Sequence, residues 1–154
     1  VGVWEGDHAV ALQNQLDIKK MYLVDPYEKY GEYEGEKNNT ARLDKAQARA
    51  HVQLESYGGV EHLRKRSTDA AELITESLDY VYIDGNHEYE FVKQDIAIYY
   101  DLLKPGGIIA GHDFNGYYPG VIRAVVEFAQ ETGIEMRTTK FGDDWYIIKS
   151  EIEG

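Results

Sequence analysis

Apolar residues recur along this chain in two alternating rhythms. Short runs rich in β-branched and aromatic side chains, at Met21 to Val24, Val60 to Arg66, Val81 and Ile83 with their flanking tyrosines, and Ile108 to Ala110, predict buried strands. Between them the spacing changes to a helical one. Val10 and Leu12 mark a helix over His8 to Leu16, and Leu43, Ala46, Ala50, Leu54 and Tyr57 mark another, closed by Gly58-Gly59. Val92, Ile96, Tyr99 and Leu103 mark a third, closed by Pro105-Gly106-Gly107. Val121, Ile122, Val125, Val126 and Ala129 mark a fourth, ending at Gly133. Ser67-Thr68-Asp69 reads as a cap for a short helix from Ala70 to Thr75. Two last runs, Ile134 to Met136 and Trp145 to Ile148, flank Gly142-Asp143-Asp144 and predict a hairpin. Strand–helix alternation finishing in a hairpin implies a three-layer α/β fold with a mostly parallel sheet and an antiparallel end.

The same pattern locates the polar chemistry. Strands stop abruptly at Asp25-Pro26, at Asp84-Gly85-Asn86-His87 and at His112-Asp113. In a parallel α/β sheet the carboxyl edge of the strands is where ligands bind. Tyr27 to Thr40 is polar, without a period, and reads as a loop whose Tyr27, Tyr30 and Tyr33 are placed to cover a substrate pocket.

Length and composition narrow the classes. With 154 residues and 43% hydrophobic content the chain is expected to form a single domain over residues 1–154 with a core of its own. No apolar run approaches the roughly 18 residues of a membrane span, and no signal peptide is evident, so a soluble, cytoplasmic protein is expected. Zero cysteines exclude disulfides, thiolate metal sites and a cysteine nucleophile. A formal charge of −12 argues against nucleic acid as a partner, since that affinity rests on clustered Lys and Arg. The one dense basic cluster, Arg64-Lys65-Arg66 with His62 nearby, reads as a solvated surface.

Three features carry candidate chemistry. Val1 to Gly6, VGVWEG, has glycines at 2 and 6 before a helix, a turn that lets a ligand approach the backbone. Its first strand is expected to be only partly present. Asp25 follows the next strand roughly 20 residues later, the spacing at which α/β nucleotide-binding folds place a carboxylate for ribose hydroxyls. His87 and His112 stand at strand ends, and an imidazole titrating near neutrality suits a general base.

Taken in order, VGVWEG, LVDPY, the Ser67 loop, YVYIDGNHEYE, LLKPGG and AGHDF resemble the class I S-adenosylmethionine-dependent methyltransferases. The resemblance is to the small bacterial and archaeal group whose fourth strand ends in an Asp-Gly-x-His segment. It implies a Rossmann-like methyltransferase fold, with S-adenosylmethionine as cofactor and a small-molecule acceptor methylated on oxygen. Carried onto this chain, it sets Gly2, Val3, Trp4 and Gly6 against the methionine part of the cofactor. Asp25 then falls at the ribose, Ser67 near the adenine, and Asp84, Gly85 and His87 beside the sulfonium. His87, His112 and Asp84 are the implied catalytic residues. The acidic residue that the family carries before the first glycine would precede Val1 and is absent. Some related O-methyltransferases also hold a divalent cation, Mg²⁺ or Mn²⁺. Asp84 and Asp113 match two of its ligand positions, and His112 or Phe114 stands where a further carboxylate or amide would be.

Two rival readings start from the same residues. One is a protein that binds S-adenosylmethionine without catalysis, since fold does not fix function. The other is an NAD-dependent oxidoreductase, against which stands the missing GxGxxG spacing, with Trp at position 4. A homodimer through the terminal hairpin or the tyrosine-rich loop is compatible with the sequence.

Overall fold

The computed structural model describes residues 1–29, 39–140 and 142–151. They form two compact units, one of residues 2–70 and one of Val1 with residues 71–154.

In the first unit a turn at Gly2 to Gly6 leads into α1 (Asp7–Gln15), followed by β1 (Met21–Val24), α2 (Thr40–Leu54) and β2 (Val60–Leu63). The strands β1 and β2 pair in parallel, Met21 opposite Val60 and Val24 opposite Leu63. Helix α2 buries Leu43, Ala46, Ala50 and Leu54, the stripe its spacing predicts, and Asn39 caps it by accepting the Ala41 N–H at 2.9 Å. The helix ends at Leu54, short of the predicted Tyr57, whose ring leaves the helix to donate to Asn14 at 2.7 Å. Arg64 reaches Gln47 and Asp44, and Arg66 reaches Glu28, so the basic cluster is an exposed face tied to its own acidic neighbours. The short helix α3 (Ser67–Ala71) begins at Ser67 itself rather than after a three-residue cap.

The second unit holds β3 (Leu78–Ile83), α4 (Tyr89–Asp101), β4 (Leu103–Gly111), α5 (Pro119–Thr132), β5 (Met136–Thr138) and β6 (Trp145–Ile148). Its sheet runs β3-β4-β6-β5, with β3 and β4 parallel and the last two pairings antiparallel. Val81, Ile83, Ile109, Trp145 and Ile147 are buried on the sheet, and α4 and α5 contribute Val92, Ile96, Tyr99, Val121, Ala124 and Val125. Helix α5 stops where Gly133 turns left-handed at φ 69, as its sequence predicts.

Pro105-Gly106-Gly107 does not close α4. That helix ends at Asp101, and the three residues lie inside β4, where the register against β3 shifts between Leu78 and Tyr80. The backbone of Lys149 exchanges hydrogen bonds with Gly106 and Gly107 at 3.0 and 2.8 Å, which keeps this irregular stretch in the sheet. The buried Lys149 ammonium donates to the carbonyls of Tyr100 and Leu103, satisfying acceptors at the end of α4 and the start of β4. Among the described residues no helix is long and apolar enough to cross a membrane.

Candidate functional site

The glycine turn of the first unit is built on two left-handed glycines, Gly2 at φ 78 and Gly6 at φ 87, with Trp4 at φ 51 between them. A side chain at Gly6 would also press against Ala50, 3.2 Å from its Cβ, so the turn sits tightly on α2. Asp25 stands at the end of β1 as expected, and its carboxylate ties this turn together. Its Oδ2 accepts the N–H groups of Val3 and Trp4 at 2.9 and 3.0 Å, and its Oδ1 accepts that of Tyr27 at 2.8 Å. A carboxylate offers about four acceptor positions. Three are taken, which leaves room for one hydroxyl donor, so the turn and its anchor fit a ribose held from one side.

Tyr27 is not a lid residue. It is buried with Leu43 and Ala46, and its hydroxyl donates to the Trp4 carbonyl at 2.8 Å. Burial, with the Asp25 charge adding to it, pushes its phenol well above the ordinary range. Tyr30 and Tyr33 lie outside the described residues. Ser67 opens α3, partly buried.

In the second unit the ends of β3 and β4 bring Asp84, His87, His112 and Asp113 together. Val1 lies alongside the end of β3: its nitrogen donates to the Tyr82 carbonyl and its carbonyl accepts the Asp84 N–H at 2.9 Å. After β3 the chain turns through Asn86, which is buried and accepts the Glu88 N–H at 2.7 Å, an Asx turn that carries His87 inward. After β4, Asp113 takes the left-handed conformation at φ 63, one that Asp tolerates better than most residues.

Asp113 is the centre of this group. Its Oδ2 lies 2.7 Å from His87 Nε2, and its Oδ1 lies 3.1 Å from His112 Nδ1. The side chains of His87 and Asp113 are each only 13% exposed, whereas that of His112 is 43% exposed. The first two are therefore a sheltered pair and His112 is the solvent-facing member. A ring nitrogen this close to a carboxylate is the donor, so the His87 proton sits on Nε2. Partial burial pulls the His112 imidazole down, but Asp113, Asp84 and Asp144 together outweigh it and hold its pKa above the ordinary value. Asp84 is exposed as a residue, yet the atoms crowding its carboxyl desolvate it and, with the Asp113 charge adding, raise its pKa to about 6 against the pull of both histidines. Gly85 sits beside the Val1 side chain.

Asp84, His87 and Asp113 each offer one ligand atom, all within 4.8 Å of one another. Of the expected metal ligands Asp84, Asp113 and His112, the two aspartates lie in this cluster, and its third member is His87, not His112. Two oxygens and an imidazole nitrogen suit Mn²⁺, Fe²⁺ or Zn²⁺ better than Mg²⁺. One residue that the sequence did not flag completes the surroundings. The Tyr118 ring stacks on that of His87, centroids 4.1 Å apart and planes 28° from parallel. A tyrosine before a proline in a polar loop has no pattern that announces such a contact.

Comparison with known proteins agrees with this architecture. The profile of the family described as "Methyltransferase domain" matches residues 1–114. An uncharacterized protein of Acanthamoeba polyphaga mimivirus is 29% identical over 133 residues, which cover 81% of this chain and 55% of that protein. The chain therefore spans about half the length of this curated relative. Among solved structures, cofactor-bound Rv0187 from MTB matches with a TM-score of 0.70 and 15% identity, over 97% of this chain and 70% of that one. The O-methyltransferase NovP matches with a TM-score of 0.65 and 17% identity, again over 97% and 70%. At these identities the structures speak for the fold, which is the Rossmann-like α/β fold of class I methyltransferases.

Proposed function

Because the chain belongs to the methyltransferase-domain family, we propose that it transfers a methyl group from S-adenosylmethionine to an oxygen of a small molecule. The observation that carries the chemistry is the Asp113–His87 pair, sheltered from solvent and 2.7 Å apart. S-adenosylmethionine supplies a methyl already activated on a sulfonium, so the chain has to orient the acceptor and take its proton. His87 takes that proton, and Asp113 stabilises the imidazolium that results. His112, held above its ordinary pKa, is more often charged and serves as a donor to the acceptor oxygen. In the first unit the turn at Gly2 to Gly6 lies against the methionine part, and Asp25 accepts one ribose hydroxyl. Ser67 is assigned to the adenine on the family resemblance alone.

Calorimetric titration with S-adenosylhomocysteine, with NAD as the control, tests the cofactor assignment: binding of the first and not of the second is expected. A radiolabelled methyl transfer screen over phenolic and sugar hydroxyls then tests the acceptor class. His87→Gln should lower turnover on any hit by about a hundredfold or more, and full turnover in that variant would remove His87 as the base.

The clustering of Asp84, His87 and Asp113 favours a second reading, in which the same residues hold a divalent cation that draws the acceptor oxygen in. The two readings compete at His87, because a ring nitrogen that holds a metal cannot also take up the acceptor's proton. Full activity in chelator would sink the metal. Heat released on Mn²⁺ titration into the wild type, lost in Asp84→Asn, would favour it.

A further inference from the structure

Two arginines of α2, Arg42 and Arg49, stand seven residues apart, so one helix face carries both toward the glycine turn. They meet different partners there. Arg49 donates to the Glu5 and Asp7 carboxylates, which keeps its charge engaged by the turn itself. Among the described residues the Arg42 guanidinium meets the Trp4 indole and no carboxylate, its central carbon 5.3 Å from the ring centroid. Arg49, Arg64, Arg66, Arg123 and Arg137 each pair with one. We propose that Arg42, laid on Trp4, recognises the terminal carboxylate of the cofactor's methionine part. This rests on the reading that the Gly2 to Gly6 turn holds that part of S-adenosylmethionine.

Trp4 is a fixed shelf for this cation. Its N–H donates to Asp25 at 3.0 Å, and its carbonyl accepts the Tyr27 hydroxyl at 2.8 Å. The backbone is thus gripped on both sides of a residue that is 39% exposed. A contact between a cation and an aromatic face leaves the guanidinium its N–H donors, which lie in its own plane and match a carboxylate as a fork. Arg42 therefore presents an exposed, oriented set of donors beside the turn. Charge gives the same answer. The turn carries Glu5, is followed by Asp7 and is anchored by Asp25, in a chain of formal charge −12. A ligand carboxylate brought there is repelled by each of them unless a cation meets it. Arg49 already serves Glu5 and Asp7, so Arg42 is the guanidinium of this helix face left to receive the ligand.

The test compares two ligands that differ by one group: S-adenosylhomocysteine and its decarboxylated form, which keeps the adenosine, the sulfur and the amine. Calorimetric titration of the wild type is expected to give the decarboxylated ligand an affinity about tenfold or more below that of S-adenosylhomocysteine. Equal affinities overturn the proposal, and this measurement needs no variant. Arg42→Gln should bind S-adenosylhomocysteine about tenfold to a hundredfold more weakly than wild type, and should bind the decarboxylated ligand as wild type does. That second affinity also reports an intact turn. Unchanged binding of S-adenosylhomocysteine in the variant overturns the proposal. An equal loss for both ligands overturns it too, because Arg42 would then support the turn and not the carboxylate. Failure of the cofactor reading looks different: the wild type binds neither ligand, and the role of Arg42 falls with it.

Discussion

Asp25 and Asp84 hold the same kind of position in the two units, each the first residue after a parallel strand, and they do opposite work. Asp25 follows β1 and accepts three backbone N–H groups, which makes it an anchor for the turn before α1. Asp84 follows β3 and faces two imidazoles and a second carboxylate, and its own carboxyl is pushed up to about 6. Strand-end placement therefore does not decide what a carboxylate does. What it meets decides: fixed amide donors make it a structural pin, whereas titratable partners make it part of a reactive group.

The largest expected effect comes from removing the pin. Asp25→Ala leaves the Val3, Trp4 and Tyr27 N–H groups without their acceptor and should destabilise the protein by on the order of 3 kcal/mol, each charge-assisted bond being individually modest. Asp25→Asn should recover only part of that. Both carboxylate oxygens accept, and an amide nitrogen cannot, so one end of the interaction is lost whichever way the amide turns. Urea unfolding of both variants measures this. An Asp25→Ala midpoint equal to wild type would mean that the turn stands without its anchor, and would free Asp25 for a ligand role alone.

The anchoring role of Asp25 was only half legible in the sequence. The spacing from the glycine turn put a carboxylate at the end of β1, because such a spacing is set by strand and helix lengths. Which backbone donors fold back onto it depends on φ values at Trp4 and Tyr27, 51 and 49, that no residue type there announces. The strands at Met21–Val24 and Trp145–Ile148 match the sequence reading, since a short apolar run rich in β-branched and aromatic residues is a strong strand signal even where, as in β6, only alternate residues are buried. Pro105-Gly106-Gly107 was misread as a helix stop because proline and glycine signal a break in either element. Only the long-range pairing with Lys149 shows that they interrupt β4 instead. In the site, His87, His112, Asp84 and Asp113 were visible as polar residues at strand ends. Tyr118 was not, because its contact is made by tertiary packing from the start of α5.

A middle-sized effect separates the two loops by backbone rather than by charge. Gly120→Ala places a methyl 2.6 Å from the His87 carbonyl oxygen and 2.7 Å from the Tyr89 nitrogen, both backbone atoms that cannot step aside cheaply. A cost of about 2 kcal/mol is expected, in line with overpacking elsewhere. Gly6→Ala meets softer neighbours at 3.2 Å but must hold φ near 87, a conformation that costs an L-residue roughly 1–2 kcal/mol. The two should therefore be similar in stability and different in reach. Gly120→Ala should disturb the His87 ring NMR signals and Gly6→Ala should leave them as in wild type. Disturbance of His87 by both would mean that the loops are not independent.

The smallest effect is the pH dependence that Asp84 carries. Its pKa is raised from 3.8 to about 6, so between those values the folded protein binds more protons at this carboxyl than the unfolded chain does. Stability from this group is thus fully present below the unfolded value and is lost as pH rises through about 6. Because Asp84 is exposed, solvent screening keeps the amount small. Asp84→Asn removes the titration: the variant should be modestly more stable than wild type at neutral pH and indistinguishable from it near the lower end of the window. Asp25→Asn, by contrast, should be less stable than wild type at neutral pH, because it gives up an acceptor that the fold uses. Denaturation midpoints of the two variants at both ends of the window would give opposite signs at neutrality. If both variants were destabilised there, Asp84 would be a second structural pin, and the contrast between the two strand ends would be gone.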